Sequence, residues 1–453
     1  MELLQRKSKG QVLVLVALLM FVLLGVAALA IDIGRAYGVK AKLNAAVDAA
    51  SYEAVNTLAQ GSGEDDMKSR AAEAAGTYFE ANYPLKGFLG AIRPAPTVTA
   101  DRDQRTGKWR VNVSATAKMP TVFAGLLGWK SMDIGAASEA VRATIDMVLV
   151  LDTSSSMAAA FPAVKQRAEY FVTLFDKLDD RLGLVAFSTG ALPVVSICGE
   201  YPNTTQKDPK PNTLSCGRGF APTSVQNAIS YLNAGSKTAS EEGMKKALDQ
   251  LNAVKTAERS GHRVIVFFSD GAPNTFNGRF PLKTGGGVEG NLFSGIFVGQ
   301  RAEEVFNPNR YDDAGVNYQI ASLPATDLTG TIPTASYNNK RTLTGNTSDL
   351  YIKCDANAAA RNMTENVANM AREDGITVYA IGFGEIDARQ MFDSNCSTYN
   401  EIGSTIMKRL ANTEDSDSYN PDQSAGLYCK APDTDALKLC FEKVASAILR
   451  ISK

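Results

Sequence analysis

The stretch Ile145-Asp146-Met147-Val148-Leu149-Val150-Leu151-Asp152-Thr153-Ser154-Ser155-Ser156-Met157 decides how the rest of the chain is read. A short aliphatic run without alternation is the pattern of a strand buried on both faces. This run ends on a carboxylate and a serine-rich turn. Arg181–Phe187, Arg263–Phe268 and Ile376–Gly382 repeat the apolar pattern, and an amphipathic helix is predicted over Phe161–Leu178. Strands alternating with helices imply an α/β fold with a doubly wound, mainly parallel sheet. Sheets of this kind bind ligands beyond the carboxyl ends of their strands, at a switch point.

Two of these strands deliver a carboxylate to that edge: Asp152 after the first, and Asp270 within Ser269-Asp270-Gly271 after a later one. Ser154 and Ser156 follow Asp152 closely enough for a tight loop to turn both hydroxyls inward. These are all hard oxygen donors, which suit Mg²⁺, or Mn²⁺ or Ca²⁺ in its place. Taken alone, D-x-S-x-S is a weak signal, because serine-rich turns are common. Its weight comes from several loops in the right order.

The pattern Asp152-x-Ser154-x-Ser156 resembles the metal-ion-dependent adhesion site of von Willebrand factor type A domains. The resemblance implies a threonine from a second loop, matched by Thr238 in Gly235-Ser236-Lys237-Thr238, with Gly243 and Met244 following. It implies an aspartate from a third loop, matched by Asp270. The expected metal set is therefore Asp152, Ser154, Ser156, Thr238 and Asp270, with a last position open to a partner's oxygen, often a carboxylate. Ser155 stands where many members of the family have glycine, which alters loop flexibility but no ligand. The resemblance also implies strand order 3-2-1-4-5-6 in a domain from 145 to 453, interrupted by insertions near 198–222 and 272–355.

At the other end, Val12–Ile31 is a run of apolar and small residues without a charge. A helix of about twenty residues spans roughly 30 Å, the hydrocarbon thickness of a bilayer. Arg6, Lys7 and Lys9 favour a cytoplasmic N-terminus, although Arg35, Lys40 and Lys42 follow the run. The competing reading is a cleaved signal peptide, with Ala28-Leu29-Ala30 as its cleavage site. Two features favour the anchor. The run is longer than a signal peptide's apolar core. The helical period also continues through Ile33, Tyr37, Leu43, Val47, Ala50, Ala54 and Leu58, up to Gln60-Gly61-Ser62-Gly63. The expected organisation is a cytoplasmic N-terminus at 1–11, a transmembrane helix at 12–33, and a helical stalk with a small α+β region at 34–144.

Within that region a second helix is expected over 64–82. A hairpin follows, whose strand Trp109–Thr116 buries Trp109, Val111, Val113 and Ala115 on one face. A short helix is expected at Thr121–Leu127 and a strand at Ser131–Thr144. A long membrane helix followed by a small sheet is the plan of pilin-like proteins, by analogy. Lys9-Gly10-Gln11, Ile31-Asp32-Ile33-Gly34-Arg35 and Lys42-Leu43-Asn44-Ala45-Ala46-Val47-Asp48-Ala49-Ala50 resemble the start of TadG-type proteins of tight-adherence (Flp) pilus assembly. Tyr428–Ser452, with Leu437, Phe441 and Val444 on one helix face, is similar to that family's end. The fifth residue after Gly10 is Leu15, not the glutamate of true prepilins, which argues against prepilin-type cleavage.

Composition narrows the function classes. The chain has 453 residues, 45% hydrophobic and 21% charged, with a formal net charge of -1, so no long-range field favours nucleic acid. Its single histidine, His262, reads as an ordinary loop residue before a strand. The six cysteines lack C-x-x-C spacing, which argues against a zinc ribbon or a thioredoxin site. Disulfides in an oxidising compartment are the favoured reading over free thiols, with Cys198–Cys216 closing a polar loop as the first pair and Cys440 on an apolar helix face. Lys283-Thr284-Gly285-Gly286-Gly287-Val288-Glu289-Gly290 lacks the G-K-[S/T] ending and the leading strand of a phosphate loop, so it reads as a flexible glycine loop.

The resulting expectation is a single-pass protein of the bacterial inner membrane, with its C-terminal domain periplasmic or surface-exposed. Its role is that of a pilus assembly or adhesion component whose metal site binds a partner protein in the cell envelope. The alternative is a surface adhesin that engages a host or matrix ligand. An enzyme, such as a metal-dependent hydrolase, is disfavoured because no acid or base is assigned to the serines. The insertions are expected near the metal edge, where they would set partner choice.

Overall fold

The structure is a computed structural model. It describes residues 8–58, 64–102, 108–199, 210–235, 237–283, 285–293, 296–297, 321–326, 330–336, 341–387 and 401–451. The chain divides into two compact units, Met1–Arg142 and Ala143–Ser452.

In the first unit, α1 (Ser8–Leu58) is one unbroken helix of 51 residues. Its segment Val12–Ile31 presents apolar side chains outward, and it is long and apolar enough to cross a membrane. From Asp32 onward one face is buried, through Val39, Leu43, Val47, Ala50, Ala54 and Leu58. That face meets α2 (Glu64–Asn82), which buries Met67, Ala71, Ala75 and Phe79 at four-residue spacing. It also meets an antiparallel sheet of β1 (Thr97–Arg102), β2 (Trp109–Pro120) and β3 (Ser131–Arg142), in that order. Strand β2 alternates strictly, with Trp109, Val111, Val113, Ala115, Ala117 and Met119 inward. The expected hairpin is present and longer than the sequence suggested.

The helix expected at Thr121–Leu127 is a single 3-10 turn, Ala124–Leu127, closed by Gly128 at φ +98°. Its leading amides are not capped locally. The backbone N–H groups of Val122, Phe123 and Ala124 donate to the carboxylate of Asp32 at 2.9, 2.8 and 2.8 Å. An acidic side chain at a helical N-terminus satisfies orphan donors and the local dipole together. This gives Asp32 a structural reason to stand directly after an apolar span.

The second unit contains β4 (Ile145–Asp152), α3 (Phe161–Val172), β5 (Arg181–Phe187), β6 (Ala191–Val195), α4 (Pro222–Tyr231), α5 (Ser240–Ala253), β7 (His262–Ser269), β8 (Thr275–Pro281), β9 (Gly287–Phe293), β10 (Ile296–Phe297), α6 (Asp349–Glu373), β11 (Ile376–Phe383), α7 (Gly403–Ala411), β12 (Tyr428–Ala431) and α8 (Thr434–Ile451). Six strands form the main sheet in the order β12-β11-β7-β4-β5-β6. Numbered by their sequence within that sheet and read from the β6 edge, this is 3-2-1-4-5-6, the order the resemblance implied. All pairings are parallel except β5 with β6.

Alternate residues of β4 serve opposite faces. Leu149 and Leu151 pack with Val164 and Phe171 of α3, Ile229 of α4 and Phe441 of α8. Val148 and Val150 pack with Met244 and Leu251 of α5, Val367 of α6 and Leu410 of α7. Burial on both faces is why these strands read as continuous apolar runs.

Several expectations need correction. Helix α3 ends at Val172, not Leu178, because the chain turns there: the Thr173 hydroxyl donates to the Tyr170 carbonyl, and the Asp180 carboxylate takes the Asp176 amide. His262 is the first residue of β7 and is buried, so it is not a loop histidine. The glycine-rich stretch is not a loop throughout. Gly285 and Gly286, at φ +88° and +80°, turn a hairpin, and Gly287–Gly290 belong to β9, paired with β8.

The first insertion lies at the opposite edge of the sheet from the one expected. Arg181, at the start of β5, donates to the carbonyls of Cys216 (2.6 Å) and Gly217 (3.1 Å) and to the buried Asp146 near the start of β4 (3.1 Å). Strand β6 runs antiparallel and carries the chain down to the amino edge, and the insertion hangs from there.

The expected Cys198–Cys216 disulfide is present, and Cys429–Cys440 forms a second, joining β12 to α8. Cys440 is therefore no free thiol. Cys354 is also disulfide-bonded, and Cys396 lies outside the described residues. Closing a loop of this size removes unfolded-chain entropy worth about 3 kcal/mol. Replacing Cys198 and Cys216 together by serine is expected to lower the unfolding free energy by about that amount. Urea melts followed by circular dichroism measure it; a loss near zero would mean the Arg181–Asp146 ties alone hold the loop.

Candidate functional site

The site grows from the sheet register. Strands β4 and β7 are neighbours, with Leu151 opposite Phe268, so their next residues, Asp152 and Ser269, emerge side by side at the carboxyl edge. Asp152 is fully buried. Its Oδ1 accepts the backbone N–H of Ser154 at 2.8 Å, and its Oδ2 accepts the Ser269 hydroxyl at 2.6 Å. The first contact closes a turn of the kind aspartates favour. The second ties the two strand ends together.

Ser154 is buried, and its Oγ lies 3.0 Å from the Oγ of the exposed Ser156. The Ser156 hydroxyl in turn donates to Oδ1 of Asp270 at 3.0 Å. Four of the five expected residues, Asp152, Ser154, Ser156 and Asp270, thus form one hydrogen-bonded group with Ser269.

Thr238, the fifth, sits on an adjoining loop held by the backbone. Gly235 N–H donates to the Thr153 carbonyl at 2.7 Å, Ala239 N–H donates to the Ser188 carbonyl at 2.7 Å, and the Ser188 hydroxyl donates to the Gly235 carbonyl. Thr153 is itself fixed to β5, through its amide and hydroxyl on the Phe187 carbonyl, both at 2.8 Å. Thr238 is buried, and its hydroxyl enters none of the hydrogen bonds found among the described residues. Behind the loop, Gly243 lets α5 close on β5, since a Cβ there would come within 2.8 Å of the Phe187 ring.

The electrostatics are those of two like charges brought together away from water. Burial, and then the negative charge of Asp270, push the Asp152 carboxyl up to about 7, against the Ser269 and Ser154 donors. Burial also raises Asp270, opposed by the Ser156 hydroxyl. Two carboxylates and several hydroxyls are hard donors that fit a divalent cation such as Mg²⁺. No third carboxylate, histidine or cysteine joins them among the described residues. This donor set fits an ion that keeps waters or takes a ligand from elsewhere. The structure adds residues that the sequence reading did not assign: Ser269, which joins Asp152 to the Gly271 carbonyl, and Thr153, Ser188 and Gly235 as the brace. Ser269 was visible in the sequence as a hydroxyl next to Asp270 at the end of a buried strand.

The second insertion begins at this edge. Asn277 of β8 is buried, and its amide donates to the Thr189 carbonyl at 3.1 Å and to Glu242 of α5. The root of the β8–β9 hairpin is therefore fixed beside the end of β5.

Comparison with known proteins gives two family matches. Residues 147–272 match the family model of the von Willebrand factor type A domain, and residues 10–57 match that of the Flp pilus-assembly TadE/G-like family. Among solved structures, the pilus adhesin SpaC from Lactobacillus rhamnosus GG is 18% identical, with 80% of this chain and 35% of that one covered, at a TM-score of 0.38. The vWF domain of the type V pili tip protein Mfa5 from Porphyromonas gingivalis is 16% identical, covering 69% and 98%, at 0.38. Proximal thread matrix protein 1 from the mussel byssus, in a form with a zinc-occupied MIDAS motif, is 13% identical, covering 67% and 45%, at 0.32. The chain thus spans less than half the length of the SpaC and byssus chains. A comparison with curated proteins returns no match. The chain carries a von Willebrand factor type A domain and a TadE/G-like N-terminal segment.

The raised carboxyls have a consequence for stability without metal. A carboxyl whose folded pKa lies above its unfolded one opposes folding once ionised. That cost is absent below the ordinary carboxylate range and complete above about 7, the folded value for Asp152. In EDTA, thermal stability should therefore fall as pH rises across that window. Asp270→Asn should raise the melting temperature at pH above 7 by roughly 2–4 °C for each kcal/mol relieved, and flatten the pH dependence. Melting curves in EDTA across this range test it. An Asp270→Asn protein less stable than wild type at high pH would contradict the repulsion.

Proposed function

We propose that this protein is a membrane-anchored pilus assembly or adhesion component that grips a partner protein of the cell envelope through a metal-ion-dependent adhesion site formed by Asp152, Ser154, Ser156, Thr238 and Asp270. The observation that carries the reading is the pair of carboxylates at adjacent strand ends, linked through the Ser154 amide and the Ser154 and Ser156 hydroxyls at the open edge of the sheet. A bound Mg²⁺, or Mn²⁺ or Ca²⁺, would supply a coordination position for a partner's carboxylate oxygen. The chain's own residues do the rest. Asp152 and Asp270 neutralise the ion, Ser154, Ser156 and Thr238 offer hydroxyl oxygens, and Ser269 and Thr153 keep the loops in register.

We read the protein as non-enzymatic. The serine hydroxyls bond to each other and to Asp270, a carboxylate assigned here to the cation, and no histidine pairs with them among the described residues. His262 stands at the start of β7, the far end of the strand that leads to Asp270. An inner-membrane location, with the N-terminus cytoplasmic and the second unit periplasmic or surface-exposed, is supported by the outward-facing apolar span of α1, by Arg6, Lys7 and Lys9 before it, and by the disulfides of the second unit.

Titration calorimetry with Mg²⁺, Mn²⁺ and Ca²⁺, and pull-down from envelope extracts with and without EDTA, test the site. Asp152→Ala is expected to abolish both cation binding and EDTA-sensitive partner capture while leaving the circular-dichroism spectrum unchanged. Capture that persists in EDTA, or in Asp152→Ala, would defeat the proposed mechanism. A collapsed spectrum would make Asp152 a folding residue instead. Cell fractionation separates the roles: retention in the inner membrane supports assembly, whereas cell-surface exposure supports the alternative of an adhesin for a host or matrix ligand.

A further inference from the structure

The first unit leaves a set of large apolar side chains in the open at one level of α1. Two loops supply them. Leu85, Leu89 and Ile92 come from the turn after α2, and Val122, Leu126 and Trp129 come from the β2–β3 connection. Leu126 is 84% exposed, Leu85 75%, Ile92 74% and Trp129 69%. One such residue needs no explanation, but six on two loops tied to the same stretch of α1 do.

Both loops are tied to the helix where its apolar span ends. Val122, Phe123 and Ala124 donate their amides to Asp32, the residue after Ile31. Trp129 follows the same turn, its amide on the Ala124 carbonyl at 3.1 Å. Arg35, one turn further along, donates to the Leu89 carbonyl at 2.8 Å and the Pro120 carbonyl at 3.3 Å. Leu89 also packs against Gly38, where a Cβ would come within 2.8 Å of its Cδ1. The loops therefore lie against one side of α1 over Asp32–Gly38, about 9 Å of helix at 1.5 Å per residue, while Ile33 and Tyr37 stay exposed. The headgroup zone of one leaflet is of similar depth, at roughly 5–8 Å.

We infer that these two loops form a collar seated in the bilayer interface, with Val122, Leu126 and Trp129 dipping into the headgroup–acyl boundary. The inference rests on reading Val12–Ile31 as the membrane span. The occupant follows from position: the exposed apolar loops are tied to Asp32 and Arg35, directly after the apolar span Val12–Ile31. Its composition agrees, since tryptophan concentrates at membrane interfaces. Lys86 and Lys130 are exposed within the same loops, where a lysine stem lies along apolar surface while its ammonium reaches phosphate. Asp32 has a double role here. It caps the 3-10 turn, and by accepting three amides it lets a carboxylate stand at the edge of hydrocarbon. The collar fixes how deep the helix sits and stops α1 from sliding or rotating freely in the bilayer.

The two tryptophans make the test direct, because Trp109 is buried in the unit's own core while Trp129 is exposed. The full chain is reconstituted into phosphatidylcholine vesicles carrying acyl chains brominated either near the carbonyl end or near the methyl end. Trp129 emission is expected to be quenched strongly by the shallow bromines and weakly by the deep ones, and the quenching is expected to vanish in Trp129→Phe. Flotation of the vesicles at alkaline pH reports the span separately. Protein that floats but shows no quenching at either depth would overturn the collar while leaving the span intact. Protein that fails to float would remove the reading on which the collar rests. Blue-shifted emission without bromine quenching would mean that another protein surface covers the loops, which also overturns it.

Discussion

Two carboxylates that repel each other at the ends of adjacent parallel strands are the constraint around which the second unit is organised. The parallel register of β4 with β7 sets Leu151 opposite Phe268 and so brings Asp152 beside Ser269 and Asp270. Both acids then sit where water is scarce and where like charges interact most strongly. The local hydrogen bonds relieve only part of this, since Asp152 stays raised despite its two donors. A fold that places two such acids together, and braces the surrounding loops from Thr153, Ser188 and Gly235, holds a geometry that would otherwise relax by moving apart. The brace is mostly backbone, so it tolerates changes of side chain while keeping the edge in place.

How much of this was legible in the sequence depends on the range of the interaction. Strands β4, β5, β7 and β11 could be read because burial on both faces leaves continuous apolar runs. Asp152, Ser154, Ser156 and Asp270 could be placed at one edge because each directly follows such a run. Thr238 could not be reached that way. Its loop precedes α5 and follows no strand, so it came only from resemblance. Ser269 was quoted as a neighbour of Asp270 but its contact with Asp152 depends on register, which a single sequence does not reveal. The direction of β6 was equally hidden. Its five residues carry no sign of running antiparallel, and so the first insertion was assigned to the wrong end of the sheet. The glycine stretch misled for a local reason: Gly285 and Gly286 do make a turn, but the pairing that draws Gly287–Gly290 into a strand comes from β8. His262 was misjudged by one position, the uncertainty of any strand boundary.

The first unit follows different rules, because α1 is one helix in two surroundings. Over Val12–Ile31 its side chains face outward and are apolar all round, a surface suited to lipid. Beyond Asp32 the same helix is amphipathic and packs on α2 and the small sheet. The change is abrupt, and polar side chains bonded to the backbone mark it: Asp32 to three amides, Arg35 to two carbonyls and Lys40 to the Gly135 carbonyl. Charged groups that in the sequence only weakened the positive-inside signal turn out to be the fastenings of the domain. Their presence after the span therefore says less about topology than their charge alone would suggest.

The two insertions in the second unit divide the labour that the sequence assigned to both. The first is anchored at the amino edge, by a disulfide and by Arg181 on the Cys216 and Gly217 carbonyls, with Arg181 itself paired to Asp146. Such ties rigidify the strand starts and lie a full strand length from the carboxylates. The second insertion leaves the chain directly after Asp270, and its hairpin is rooted by Asn277 on Thr189 and Glu242, beside the loop that carries Thr238. A partner that offered an oxygen to a cation at the edge would meet this insertion first. Under the proposed metal-mediated contact, the described hairpin β8–β9 is therefore a better place for contacts that discriminate between partners than the loop closed by Cys198–Cys216.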